Sequence, residues 1–475
     1  MGNCCLIYNA RLLDEKLDGP GAIFVIEGKI RAVFEGYFTS SETVKKMAES
    51  VLKEDGLENL IELYDAHGLT VTPAFIDMHV HMRYPGQSAK EDLSSGLHAA
   101  ASGGYGTVVA MPNTNPVVSS LEEAMSIEKE AATLGLTHLF QVVSITKGFD
   151  GQTTSHLDLL DKKYVPVISE DGKDVLASAV MLDGMKKAAA KGIIVSCHCE
   201  DVTLAQEARP YRQKALELMK ENGISASDYS QIDLGSFEDP EQMAKVVREI
   251  DDNLSKANQL LAVAENAATS RNIKLATLAG CSIHLAHVST AESLREIAYA
   301  RGEYPNTKIT CEVTPHHLAL TGDVEPEIRA LVNPPLRFEN DRKTLINGLL
   351  YGTVDVISTD HAPHTAEDKA AGSPGFTGLE TAYGVCNTIL VHQEGMNSKR
   401  LSQLMSANPA RILGINKGLL KTGYDADLTI VDSDEEWTVD ASQFYSKGKA
   451  TPFDGKTLQG RVKGLFIDGR KVFER

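Results

Sequence analysis

Short β-rich runs near residues 71–81, 106–112, 138–145, 164–170, 193–199, 282–288, 308–314 and 354–360 alternate with helical patterns, and this alternation restricts the fold more than any other feature of the chain. The helical patterns run over Ala89 to Ser102, Leu121 to Leu134, Ala177 to Lys191, Ala291 to Arg301 and Arg342 to Tyr351. Ser119-x-x-Glu122 and Ser289-x-x-Glu292 read as capping boxes, and Gly103-Gly104, Gly135, Gly192 and Gly302 stop helices where the chain turns back. Eight β segments with helices between them fit an α/β (β/α)₈ TIM barrel better than an open sheet.

The two ends read differently. Leu6 to Leu13, Ala22 to Ile26 and Lys29 to Phe34 are strand-like, the last two joined at Glu27-Gly28, and a charged helical insert covers Ser40 to Leu60. Ala426 to Val431, Val462 to Ile467 and Lys471 to Phe473 are again β-like, with a tight Asp468-Gly469 turn. The expected organisation is therefore a small β-sandwich domain built from residues 1–70 and 416–475, around a barrel over residues 71–415. Residues 201–258 interrupt the barrel pattern as a charged helical insertion, with Met243 to Leu261 its clearest helix. A solvated insertion is the plainer reading of that stretch, and a lid or partner surface the functional one.

The charge balance, 47 basic against 65 acidic residues with a net charge of −18, argues against a phosphate-backbone partner. An anionic substrate needs local cations to offset that field. The cysteines, Cys4, Cys5, Cys197, Cys199, Cys281, Cys311 and Cys386, are odd in number and scattered, as reduced thiols of a cytoplasmic protein would be. Met1-Gly2-Asn3-Cys4-Cys5 falls short of a myristoylation pattern because Leu6 stands where Ser or Thr is wanted. No apolar run reaches the roughly 18 residues of a membrane helix.

The chemistry gathers at the strand ends. His79 and His81 lie two apart on a predicted strand, so both imidazoles share a face, with Cα atoms about 6.6 Å apart. Asp171 follows Val165-Pro166-Val167-Ile168, His198 ends Ile193 to Ser196, His287 ends Ile283 to Ala286, and Asp360 ends Val354 to Ile357. In a barrel these C-terminal strand ends form one mouth. Six nitrogen or oxygen ligands at that mouth are about what two zinc ions with a shared ligand need. Cys197 and Cys199 flank His198 but point away from it by alternation, as packing residues.

Longer motifs carry a resemblance. Asp77-x-His79-x-His81-x-Arg83-x-Pro85-Gly86-Gln87, Lys90-Glu91-Asp92 and Met111-Pro112-Asn113-Thr114-Asn115-Pro116 resemble the dihydroorotases of the long bacterial type. So do His287-Val288-Ser289-Thr290, Thr314-Pro315-His316-His317, Asn333-Pro334-Pro335-Leu336-Arg337 and Ser358-Thr359-Asp360-His361-Ala362-Pro363-His364. Asp425-Ala426-Asp427-Leu428 and Thr451-Pro452-Phe453-Asp454-Gly455 are similar to terminal signatures of the same superfamily.

The resemblance implies a reversible interconversion of N-carbamoyl-L-aspartate and L-dihydroorotate, the third step of de novo pyrimidine synthesis, in a cytoplasmic homo-oligomer. It implies two zinc ions per subunit, bridged by Asp171 and a hydroxide. His79, His81 and Asp360 would hold the more buried ion, His198 and His287 the second, and Asp360 would carry the proton. Many relatives bridge the metals with a carboxylated lysine, for which Lys163 and Lys173 are outside candidates. Glu170-Asp171-Gly172 replaces a more usual Asp-Asp-Gly, which leaves the bridging register open by one residue. Arg83, two residues beyond His81 on the same strand face, is placed for the substrate carboxylate, with Asn113, Asn333 and His364 completing the anion site by resemblance. Pairing with Glu91 or Asp92 is the structural alternative for Arg83. Pro374-Gly375 would offer backbone groups to the ring, and His316 and His317 have structural duty. The rivals are a hydantoinase or allantoinase, and an inactive barrel kept as a scaffold, with aspartate transcarbamoylase as its partner.

Overall fold

The computed structural model describes residues 4–54, 61–224, 232–322 and 331–475. Met1 to Asn3 of the lipidation pattern, the end of the 40–60 insert and part of the 201–258 insertion lie outside the described residues.

Each β-rich run of the middle region contributes a stave. These are Phe75–Val80, Tyr105–Ala110, His138–Gln141 continued by Val143–Ser144, Val167–Ser169, Ile194–Cys197, Ile283–Leu285, Ile309–Val313 and Val356–Ile357. Neighbours pair in parallel around the ring. The ring closes where Val80 bridges His361, with His81 N–H donating to His361 O at 2.8 Å. Period-2 alternation divides the strand residues between two apolar clusters. Val108, Ala110, Val195, Cys197 and Leu285 pack with the helix residues Leu97, Ile127, Met185, Ile297 and Leu345. Val109, Met111, Val167 and Ile194 belong to a separate cluster with Ala410 and Leu413.

The strands at the two ends of the chain join one eight-stranded sheet. Its centre is Thr70–Pro73, which pairs in parallel with Cys4–Leu13 on one side and antiparallel with Leu428–Thr438 on the other. Along Cys4–Leu13, Cys5 and Ile7 face one core with Val71, Leu428 and Ile430. Cys4, Leu6 and Tyr8 face the opposite core, closed by Val44, Ala48 and Leu52 of the helix Ser41–Glu54. Glu27-Gly28 and Asp468-Gly469 take positive φ at their turns, where glycine meets no steric penalty.

Two helix caps sit one residue later than the sequence suggests. Ser120 caps Leu121–Leu134 and Thr290 caps Ala291–Glu303. The Ser119 hydroxyl is taken by Ser144 Oγ at 2.9 Å, and the Ser289 hydroxyl by Glu265, so neither is available to its helix.

Within the insertion the helix Val202–Glu221 packs on the 40-residue helix Pro240–Ala279 through Ala215, Leu218, Met219, Ile250 and Leu254. The second helix outruns the expected Met243 to Leu261 and ends only at left-handed Gly280, just before the strand Ile283–Leu285. The insertion is thus continuous with a barrel helix. No helix among the described residues is long and apolar enough to cross a membrane.

Candidate metal centre and substrate rim

His79 lies in the first stave and His81 one residue beyond it; Asp171, His198, His287 and Asp360 each lie one to three residues past a strand end. All six are buried. His287 and Asp360 adopt φ of 33° and 49°, a left-handed conformation that costs a non-glycine residue of order 1 kcal/mol or more.

Asp171 is the hub. Its Oδ1 lies 3.3 Å from both His79 Nε2 and His198 Nδ1 and 3.9 Å from His287 Nε2, while Oδ2 is 3.5 Å from His81 Nε2. Asp360 Oδ1 is 3.1 Å from His81 Nε2 and 3.7 Å from His79 Nε2. Two triads, His79–His81–Asp171 and Asp171–His198–His287, each bring their ligand atoms within 4.8 Å of one another. Glu170, the other residue of that register, turns away from the cluster to accept from Thr146 N at 2.8 Å. Lys163 and Lys173 are exposed, the former over the Tyr164 ring and the latter on Phe149 O, so neither joins the cluster.

The arrangement fits divalent metal. Among the described residues His79 Nε2 and Asp171 Oδ1 are buried without a hydrogen-bond partner, and His198 Nδ1 faces His287 Nε2 at 2.9 Å. Unmet polar atoms are costly in a dry interior, and a cation between these donors relieves that cost. Imidazole with carboxylate is a zinc-type donor set. Burial would raise the Asp171 and Asp360 carboxyls, but the histidines around them hold both well below the usual carboxylate range.

Sequence reasoning missed two carboxylates. Glu312, inside the strand Ile309–Val313, meets His79 Nδ1 at 3.1 Å and His284 Nε2 at 3.0 Å, fixing which His79 nitrogen faces the cluster. Its signal was a lone acid in the otherwise uncharged strand run Ile309-Thr310-Cys311-Glu312-Val313. Glu200, two residues past His198, accepts from Asn333 Nδ2 at 2.8 Å.

The expected substrate residues line up unevenly. Arg83 is not on the strand: its φ is 54°, and it is buried with Nε on Pro363 O and Nη2 on His364 Nε2, both at 3.1 Å. Neither Glu91 nor Asp92 pairs with it, since Glu91 meets His361 and Asp92 caps a helix. Burial and then Arg83 push the His364 imidazole down to about 3, so it offers Arg83 a neutral acceptor. Asn113 links ligands, with Oδ1 on His81 Nδ1 at 2.8 Å and Nδ2 on Asp171 Oδ2 at 3.2 Å. Asn333 lies 3.4 Å from His198 Nε2. Gly375 already spends both backbone groups, its N–H on Leu331 O and its carbonyl on Lys369. His317 ties Thr314 to Pro334 O, while His316 Nε2 is buried without a partner.

Comparison with known proteins bears on this geometry. Residues 70–472 match the model of the amidohydrolase family. A dihydroorotase of Clostridium botulinum (strain Eklund 17B / Type B) is 36% identical over 471 residues, covering 99% of both chains. One from Anaeromyxobacter dehalogenans is 33% identical over 487 residues, covering 100% of this chain and 99% of its own. Among solved structures, an L-hydantoinase (dihydropyrimidinase) from Arthrobacter aurescens superposes with a TM-score of 0.78 at 25% identity, covering 100% of this chain and 96% of its own. A dihydropyrimidinase from Brevibacillus agri, 18% identical with a TM-score of 0.75 over 99% of this chain and 95% of its own, shares the fold.

Proposed function

The chain belongs to the amidohydrolase family, a metal-dependent family, and from that premise we infer that it is a dihydroorotase, interconverting N-carbamoyl-L-aspartate and L-dihydroorotate. The observation that carries the choice of substrate is the buried Arg83–His364 pair, a cation held beside the ligand cluster of a protein whose net charge is −18. A ring carboxylate answers that cation; hydantoin and allantoin carry none.

Two zinc ions per subunit would complete this reading: His79, His81 and Asp360 would hold one, His198 and His287 the other, and Asp171 would be available to both. When bound, they supply a Lewis acid for the ring carbonyl and a water acidic enough to attack near neutral pH. Glu312 keeps His79 in one tautomer, and Asn113 braces His81 and Asp171. Asp360, 3.1 Å from His81 at the mouth, accepts the proton of the attacking water and delivers it to the ring nitrogen as the amide C–N bond breaks. In ring closure the same carboxylate takes the ureido proton and returns it to the departing oxygen. Arg83 binds the carboxylate that does not react, with His364 and Asn333 beside it, and so orients the ring. Cytoplasmic location and homo-oligomeric assembly belong to the same reading.

The test is an interconversion assay on zinc-loaded protein with Arg83→Ala beside it. The variant keeps its metal and loses substrate affinity, KM rising by about 100-fold as a buried charge-assisted pair is removed. Faster hydrolysis of hydantoin or allantoin than of dihydroorotate moves the protein to the hydantoinases. Absence of stoichiometric zinc together with no turnover leaves a scaffold.

A further inference from the structure

The insertion has no part in the ligand cluster, yet its first helix reaches the rim. Arg212, on Val202–Glu221, donates from Nη2 to Val332 O at 3.0 Å and from Nη1 to Asn333 Oδ1 at 3.4 Å. On the other side of the same amide, Asn333 Nδ2 donates to Glu200 Oε2 at 2.8 Å. Two residues earlier, Leu331 O accepts from Lys369 Nζ at 3.1 Å and from Gly375 N at 2.9 Å, and Lys369 also holds Ser373 O and Gly375 O, each at 2.8 Å. Residues 331–333 are therefore gripped by cations from two separate elements. Between them lies a cavity of about 350 Å³ lined by Glu200, Arg212, Gln213, Asn333, Ser373 and Pro374.

We propose that Arg212 is a positioning residue for substrate, acting through Asn333, and that the insertion exists in part to carry it to the rim. The proposal rests on Asn333 contacting substrate, as in the reading above. A guanidinium only donates and a carboxylate only accepts, so Arg212 and Glu200 together allow a single orientation of the Asn333 amide. The second Nδ2 hydrogen is then aimed to one side, beside His198, at no rotational cost when substrate arrives. Without Arg212 the Oδ1 end is unfixed, and the Val332 carbonyl loses a charge-assisted donor. Pro210 lies inside the same helix and cannot donate to Gln206 O, which loosens the turn just before Arg212. Burial lowers the Arg212 guanidinium only to about 10, so it stays charged through neutral pH.

Five proteins decide it: the parent, Arg212→Ala, Arg212→Lys, and Asn333→Ala alone and combined with Arg212→Ala. Arg212→Ala is expected to raise KM for both substrates by about ten-fold with kcat within about two-fold and zinc content unchanged. Arg212→Lys, with one donor centre for two acceptors, falls between. The double variant is no worse than Asn333→Ala, because Arg212 acts only through that residue. Amide exchange over residues 331–337 quickens in Arg212→Ala, a readout independent of turnover. Unchanged KM, additive losses in the double variant, or unchanged exchange overturns the proposal. A parent without dihydroorotase activity sinks the functional reading instead, and the exchange experiment still decides whether Arg212 holds the loop.

Discussion

Among the described residues, two clusters of histidine and aspartate are close enough to hold a cation, and they differ in what already neutralises them. One is the cluster around Asp171; the other is His138, Asp427 and Asp468, with His138 Nε2 3.4 Å from Asp427 and 3.8 Å from Asp468. In the second, the Lys417 ammonium sits on Asp427 Oδ2, the Asp468 backbone N–H donates to Asp427 Oδ1 at 2.9 Å, and the Asp468 side chain is 59% exposed. In the first, no lysine or arginine among the described residues forms an ion pair with Asp171 or Asp360, and every ligand is buried. Ligand type and spacing are common to both. Unmet demand is not: a buried carboxylate whose partners are imidazoles and one neutral amide wants a cation, whereas one already holding an ammonium does not.

The sharpest way to break this contrast is to disable each cluster in turn. Asp171→Ala removes the shared ligand and is expected to lower zinc content and to cut turnover by about 1,000-fold or more. His138→Asn is expected to leave zinc content and turnover within about two-fold of the parent. Elemental analysis of both variants after zinc loading checks the pair. A third equivalent of metal in the parent that His138→Asn loses would mean that Lys417 does not exclude an ion.

A smaller effect sharpens the first cluster from behind. Glu312 lies behind the cluster, where it meets His79 and His284 and accepts from the Ser358 hydroxyl. Glu312→Gln is expected to weaken zinc affinity by about 10- to 100-fold, as loss of a carboxylate behind a ligating histidine does. Competition with a chelator measures it, and excess zinc restores turnover. Turnover that stays low at saturating zinc would show that Glu312 does more than orient His79.

What could be read from the sequence follows the same division between periodic and non-periodic signals. The staves were legible because each apolar run ends where ligand chemistry begins, at His79, His198 and His287. Arg83 was legible as a residue but not as a position, since its left-handed φ takes it off the strand face where spacing put it. Ser119 and Ser289 looked like caps because local spacing cannot show that Ser144 and Glu265, distant in sequence, claim their hydroxyls. Glu312 was hidden by an apolar strand context, and Arg212 by the reverse: in a charged helix every arginine resembles a solvated one. Long-range partners decide these cases, and no window along one chain contains them.

The smallest expected effect lies beside the second cluster. Glu128, on the helix Leu121–Leu134, shares a cleft of about 520 Å³ with His138, Lys417, Asp425 and Asp468, and accepts from Gln141 N at 2.9 Å. Burial raises its carboxyl to about 7 from 4.5, against a smaller lowering by the Gln141 bond, while Lys417 sits on Asp427. The folded state then holds a proton that the unfolded chain has already released between those two values. Stability from this group is therefore full below about pH 4.5 and is lost as pH rises through about 7. Glu128→Gln, which resembles the protonated acid and keeps an acceptor for Gln141, should match the parent at pH 4.5 and exceed it at pH 8. Discounted for the solvent that reaches this half-buried group, the gain is about 1 kcal/mol, or about 1–2 °C in Tm for a chain of this size. Melting curves at the two pH values read it directly. Equal Tm values at pH 8 would mean that the cleft's cations reach Glu128 after all, and that the second cluster neutralises its whole neighbourhood rather than Asp427 alone.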